Sequence, residues 1–167
     1  MTNRPKIKVP FEPIDIIIEV LSMTLLVLMI IYTIVEYKQL PDTIPTHFNA
    51  QGIADDFNNK SMIWGLPIFG IVMYAGLFTI NRFPHIHNYM VNITEENALK
   101  NYRFSTRIVR GVNFFTVMLF VYIQYTIIAS AKGKSVTLGS WFLPVVLGLS
   151  LLLPILILIY QNKINKT

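Results

Sequence analysis

Four stretches of about 20 predominantly apolar residues, separated by polar segments, decide most of what this chain can fold into. A helix of that length reaches across the roughly 30 Å hydrocarbon core of a bilayer. The runs fall at about 14–37, 62–81, 111–131 and 141–160. Of the 167 residues, 53% are hydrophobic and 14% are charged, against roughly 25% charge in an ordinary soluble domain. A chain this short cannot hide so much apolar surface in one core, because small domains leave much of their surface in water. The expectation is an all-α membrane protein, a single four-span domain over 1–167. It carries a structured loop at 38–61 and a polar segment at 82–110 that leads as a basic helix into span three.

Arg4, Lys6 and Lys8 precede the first run, as in a signal peptide. That run is longer than an h-region of about 7–15 residues, and no small-x-small site closes it. An uncleaved first span is expected. Cysteine is absent, which excludes disulfides, thiolate metal sites and cysteine catalysis. Of the Lys and Arg residues, ten fall in the amino end, the 82–110 segment and the tail, against four on the other side. The positive-inside rule then predicts a cell-membrane protein with both termini cytoplasmic and the 38–61 loop outside.

Inside the spans, charge is confined to few places. Pro13 suits a first helical position. Asp15 and Glu19 share one helix face. Asp15 is expected at the interface beside the positive helix N-terminus. Glu19 lies a turn deeper, where a carboxylate needs a partner or a wet cavity. Pairing with Arg107 or Arg110 is the favoured reading; a proton-carrying site and snorkelling to the interface are the alternatives. Gly65, Gly70 and Gly76 permit close helix approach. Pro154 is expected to kink span four.

The loop between spans one and two is rich in turn residues. Pro41 and Pro45 bar a helix. A short extended segment at 46–49, a turn at Ala50-Gln51-Gly52 with Gly52 at positive φ, and a second polar turn at 55–59 are predicted. His47 with Asp42, Asp55 and Asp56 has the donor chemistry for a divalent metal, but the spacing matches no ligand motif. The favoured reading is that His47 and Asn49 hydrogen-bond the loop onto the helix ends. No metal, no cofactor and no catalytic set are expected. There is no HExxH, no buried aspartate pair and no Ser/His arrangement in the spans, so the chain reads as no enzyme.

In the 82–110 segment, His85 and His87 follow Pro84 and read as interface histidines able to titrate near 6.5. Thr94 is a good N-cap, with Glu95 and Glu96 behind it. Lys100, Arg103, Arg107 and Arg110 then recur along one helical face. This stripe is expected to meet anionic lipid headgroups or a cytoplasmic or membrane protein partner. Nucleic acid is not an expected partner, because no aromatic platform or recognised binding fold accompanies the stripe.

The pattern Leu40-Pro41-x-x-Ile44-Pro45-x-His47-Phe48-Asn49-x-x-Gly52-x-x-Asp55, followed by Lys60, resembles a bacterial membrane domain of unknown function. That domain forms the amino-terminal part of SdpI-type immunity proteins and also occurs in small stand-alone membrane proteins. Asn81-Arg82-Phe83-Pro84-His85, and Ile93-Thr94-Glu95-Glu96-Asn97 through Tyr102-Arg103, extend the resemblance, which covers roughly 14–130. SdpI-type proteins protect a cell from an extracellular peptide toxin and hold a transcriptional repressor at the membrane. Larger members continue into a further multi-span domain, so this chain looks like a stand-alone short form. The resemblance implies a non-enzymatic sensor or immunity protein for an extracellular peptide or envelope component, recognised by the loop of Pro41, Pro45, His47, Phe48, Asn49, Gly52, Asp55 and Lys60. The alternative is a small transporter or an accessory subunit of a membrane complex. Four spans are few for a complete carrier, so that reading needs an oligomer or a partner.

Overall fold

The computed structural model describes residues 4–166; the first three residues and Thr167 of the tail lie outside the described residues. Helix α1 runs Pro13–Tyr37, with Pro13 at its first position, where the absent N–H would have been unpaired in any case. A β-hairpin follows, β1 Thr43–Phe48 and β2 Ala54–Asn59, then a 3₁₀ turn Lys60–Trp64 that feeds α2, Gly65–Ile80. A second short 3₁₀ turn, Pro84–Ile86, lies in the connection to α3, Glu95–Ala131; α4 is Phe142–Ile164. Among the described residues, four helices are long and apolar enough to cross a membrane. Helices α1 and α2 lie within a few residues of the apolar runs at 14–37 and 62–81, α3 begins well before the run at 111–131, and α4 continues past the run at 141–160 as far as Ile164. The polar 95–110 segment and span three form one unbroken helix of 37 residues. At 1.5 Å per residue it is about 55 Å long, so nearly half of it extends past the hydrocarbon.

The described chain is not all-α. The 55–59 segment, expected as a turn, is a strand antiparallel to β1. Asp and Asn have low strand propensity, but here they are held by pairing and by the ladder that Lys60 begins, its N–H donating to Asp42 O at 2.9 Å. Bonded and non-bonded pairs alternate along an antiparallel ladder. Ile44 and Asn58 are therefore a bonded pair, and Pro45 faces Phe57 in a non-bonded pair, where the missing N–H of Pro45 costs no bond. The register shifts on either side of His47 leave Thr46 of β1 and Asp55 of β2 without partners, as in a bulge.

Side-chain contacts fix the helix directions. Glu12 meets Arg103 and Arg107 at one end of the α1–α3 pair, and Lys132 meets Glu36 at the other, so these two helices run parallel. Helix α2 returns between them: Tyr74 touches Glu19, and Ile63 O accepts from Gln124. Leu26, Met29, Tyr74 and Val117 form an apolar layer midway along α1, α2 and α3. Of the three α2 glycines, only Gly70 sits against another helix. A Cβ there would lie 3.1 Å from Leu26 and 3.2 Å from Met29, whereas Gly65 and Gly76 face open space. A second cluster of Leu40, Ile44, Ile63, Ile127 and Ile128 seats the hairpin on the helix ends. Helix α4 lies antiparallel to α3 and is held at its two ends. Trp141 and Phe142 stack on Tyr122; at the other end Tyr160 packs on Phe104, and Asn165 exchanges hydrogen bonds with Asn101.

Candidate functional site

Two polar assemblies occupy opposite ends of the bundle. The first is a ladder of three acids on α1 and its N-cap against three arginines on α3. Glu12 lies 3.1 Å from Arg103 Nε as an ion pair outside hydrogen-bonding geometry, and accepts Arg107 Nη2 at 2.7 Å. Asp15 receives Arg107 Nε at 3.1 Å and Arg110 Nη1 at 3.3 Å, and it also accepts the Glu12 N–H at 3.0 Å. Glu19 Oε1 lies 3.3 Å from Arg110 Nε, and its other oxygen accepts the Tyr74 hydroxyl at 3.1 Å. The spacing explains the match: residues three and four apart share a helix face, so both rows face each other between parallel helices. Exposure falls along the ladder, from Glu12 and Arg103 at the rim to Asp15 at 1% and Arg110 at 6%.

Of the pairings considered from sequence, Glu19 is therefore brought to Arg110, and Arg107 goes to Glu12 and Asp15 instead. Asp15, expected at the interface, is buried. The stripe expected to face headgroups or a partner is turned inward, because three nearby carboxylates outcompete solvent for Arg103, Arg107 and Arg110. Lys100 is the exception. It stays exposed and reaches the Ile164 carbonyl at the end of α4.

The second assembly is the hairpin. His47 and Asn49 do not bond the helix ends. His47 Nδ1 lies 2.6 Å from Asp55 Oδ1 across the bulge, with both side chains exposed. Asn49 closes its own turn: Oδ1 accepts from Gln51 N and Ile53 N, each at 3.0 Å. Gly52 has the expected positive φ, at 76°. Its carbonyl accepts the Leu138 N–H at 2.9 Å, which ties the turn to the α3–α4 connection. Lys60 pairs with Asp42 at 3.0 Å and lies over the Tyr37 ring. Pro45 is buried against the helix ends, while Pro41 is exposed at the hairpin entry. Phe48 lines two adjoining clefts, one of about 560 Å³ between the hairpin, the start of α2 and the end of α3, and one of about 300 Å³ between the hairpin and the start of α4. Their walls are mainly apolar, from Ile44, Phe69, Ile123 and Leu138 to Phe142, with His47 on the shared rim. Among the described residues no group of three His, Asp or Glu side chains is placed to hold a metal.

Between the ladder and the surface, the 81–94 connection is packed rather than loose. Arg4 donates to the carbonyls of His85 and His87 at 3.2 and 2.7 Å, and Tyr89 donates to Pro84 O at 2.8 Å. Burial pushes the Tyr89 phenol up to about 12. His87 is held between Ser105 Oγ (2.7 Å) and Ile80 O (3.2 Å), and burial holds its pKa below the ordinary 6.5. A depressed histidine pKa means that the unfolded chain takes up the proton first. Stability is therefore expected to fall as pH drops through about 6.5 and to level off below the native pKa. Thermal melting from pH 8 to pH 5 checks this, and His87→Gln should flatten the slope. Sequence reading missed the part Tyr89 and Arg4 play here; both look like ordinary interface residues in isolation.

The geometry defines a helical multi-pass membrane protein with an ion-paired end and a hairpin-capped end. Residues 24–71, from within α1 to within α2, match the family described as Domain of unknown function (DUF1648). The chain is also similar to an "Uncharacterized protein" of Archaeoglobus fulgidus, 33% identical over 76 residues. That match covers 41% of this chain and 42% of the relative's length. No solved structure matches the chain.

Proposed function

We propose that the protein is a non-enzymatic, SdpI-like receptor in the cell membrane, with both termini cytoplasmic, whose outward hairpin recognises an extracellular peptide or envelope component. The observation that carries this reading is the cleft beneath β1, which offers apolar walls inside and, on its rim, His47, whose ring is held by Asp55. An apolar groove with a few convergent polar groups is the usual form of a recognition site. An amphipathic peptide fits it, with apolar side chains against Phe48, Phe69 and Ile123 and polar groups toward His47 and Asp55. Sensing rather than turnover fits the site, because its polar groups are already partnered within the hairpin. Helix α3 connects the hairpin end to the ladder end in one rigid element, a route by which occupancy reaches the cytoplasmic side.

The test is survival of a sensitive host that expresses the chain, challenged with a panel of secreted amphipathic peptide toxins. Expression should raise survival at least tenfold against one of them. A His47→Ala/Asp55→Ala double variant, present in the membrane at equal level, should lose most of that protection. Equal protection by both forms would remove the hairpin from the recognition step.

A further inference from the structure

A large cavity lies not under the hairpin but at the opposite end, against the inner rungs of the ladder. It has a volume of about 730 Å³ and is walled by the 8–11 segment, the end of α2 and the face of α3 that carries Thr106 and Arg110. Glu19, an acid in its wall, is six residues into α1, about 9 Å along the helix from Pro13. That depth is where headgroups meet acyl chains. The walls divide by chemistry. Phe11 and Phe78 supply aromatic surface, while Lys8 and Arg82 stand exposed at the opening. Arg82 already lies over the Phe78 ring at 4.8 Å, and Arg110 over the Phe11 ring at 4.4 Å.

Among the described residues, two buried side chains lining this cavity have polar atoms without partners. Asn81 is 8% exposed; its Nδ2 donates to Thr106 O at 3.0 Å, which fixes the amide and leaves Oδ1 unpaired. Arg110 is 6% exposed, and its Nε, although close to Glu19, is outside hydrogen-bonding geometry, so that N–H is unpaired as well. Buried groups left this way are expensive and are usually completed by something. Here the missing partners are one acceptor and one donor, in a cavity with an apolar wall and a cationic opening.

We propose that this cavity binds a phospholipid whose headgroup is anionic and carries a free hydroxyl, of the phosphatidylglycerol class. The phosphodiester sits between Lys8 and Arg82 and accepts the Arg110 Nε–H. The headgroup hydroxyl donates to Asn81 Oδ1, and the glycerol backbone and upper acyl chain lie along Phe11 and Phe78. A free glycerophosphate shares the polar chemistry but leaves the aromatic wall uncovered. The site does not depend on peptide recognition by the hairpin.

Native mass spectrometry of the detergent-solubilised full chain tests it, with equimolar lipids added in pairs. The wild type should retain one phosphatidylglycerol in preference to phosphatidylcholine. It should also prefer phosphatidylglycerol to phosphatidylmethanol, which has the same charge and no headgroup hydroxyl. Lys8→Ala/Arg82→Ala, at two exposed positions outside the ladder, should lower the first preference by about 30-fold, the loss expected for two cations beside an anionic headgroup. Asn81→Ala should abolish the second preference. Equal retention of phosphatidylglycerol and phosphatidylcholine by the wild type, or an unchanged ratio in the double variant, would overturn the site. Displacement of bound lipid by millimolar glycerol 3-phosphate would overturn the lipid assignment.

Discussion

Asp15→Ala destabilises the folded chain by about 3–5 kcal/mol, the cost of stranding buried charge when one partner of an ion pair is removed. The size follows from position. Asp15 is 1% exposed and holds two arginines at once, one of them itself buried. After the substitution Arg110 keeps only Glu19, which it meets in poor hydrogen-bonding geometry. The measurement is the thermal midpoint in mild detergent, read beside the monodisperse yield. Adding Arg110→Leu together with Glu19→Gln to Asp15→Ala should recover a good part of the loss, because buried ionic groups replaced as a set by neutral side chains are often tolerated, and the amide introduced by Glu19→Gln still accepts the Tyr74 hydroxyl. Arg103→Ala alone should cost about 1 kcal/mol or less, since its partner Glu12 is half-exposed and screened. A flat response across all three variants would mean that the ladder contributes nothing to assembly.

Gly52→Ala releases the hairpin from the α3–α4 connection. At φ 76° an alanine costs about 1–2 kcal/mol of backbone strain. Its Cβ would also stand 2.5 Å from Gly139 N and 2.8 Å from Gly139 O, which are backbone atoms without a rotamer to change. Overpacking of that kind adds about 1–3 kcal/mol unless the two segments part. Parting them breaks the Leu138 N–H to Gly52 O bond, so the Leu138 amide should exchange with deuterium at least tenfold faster. The Ile63 and Ile128 amides beneath the hairpin should be little changed. Gly133→Ala, at a similar φ but in open space, provides the comparison with strain alone.

The helices were legible because apolar runs of span length have one solution in a bilayer. The turn at Gly52 was legible for an equally local reason, the preference of positive φ for glycine. The hairpin was not. Pro45 in β1 and Asp-Asp-Phe-Asn-Asn in β2 both argue against strands, and what overrides them is a ladder phase in which Pro45 needs no N–H. The ladder was partly visible as two charged faces at helical spacing. Which acid meets which arginine depends on the relative height of α1 and α3, and that is set by packing at Leu26, Met29 and Val117, far from the charges. The cavity at Asn81 was invisible, because an unpaired amide oxygen is a property of the assembled neighbours.

The parallel ladder also sets a timetable. Asp15 and Arg107 are 92 residues apart in the chain, with the hairpin and α2 between them. At about 5–20 residues per second of synthesis, α1 exists for roughly 5–20 s before its counter-ions leave the ribosome. During that interval a helix with two carboxylates in its first two turns cannot settle at its final depth. The native arrangement of α1 is then reached late, once α3 has entered beside it, and nascent chains arrested before Arg107 should show α1 still accessible to polar reagents.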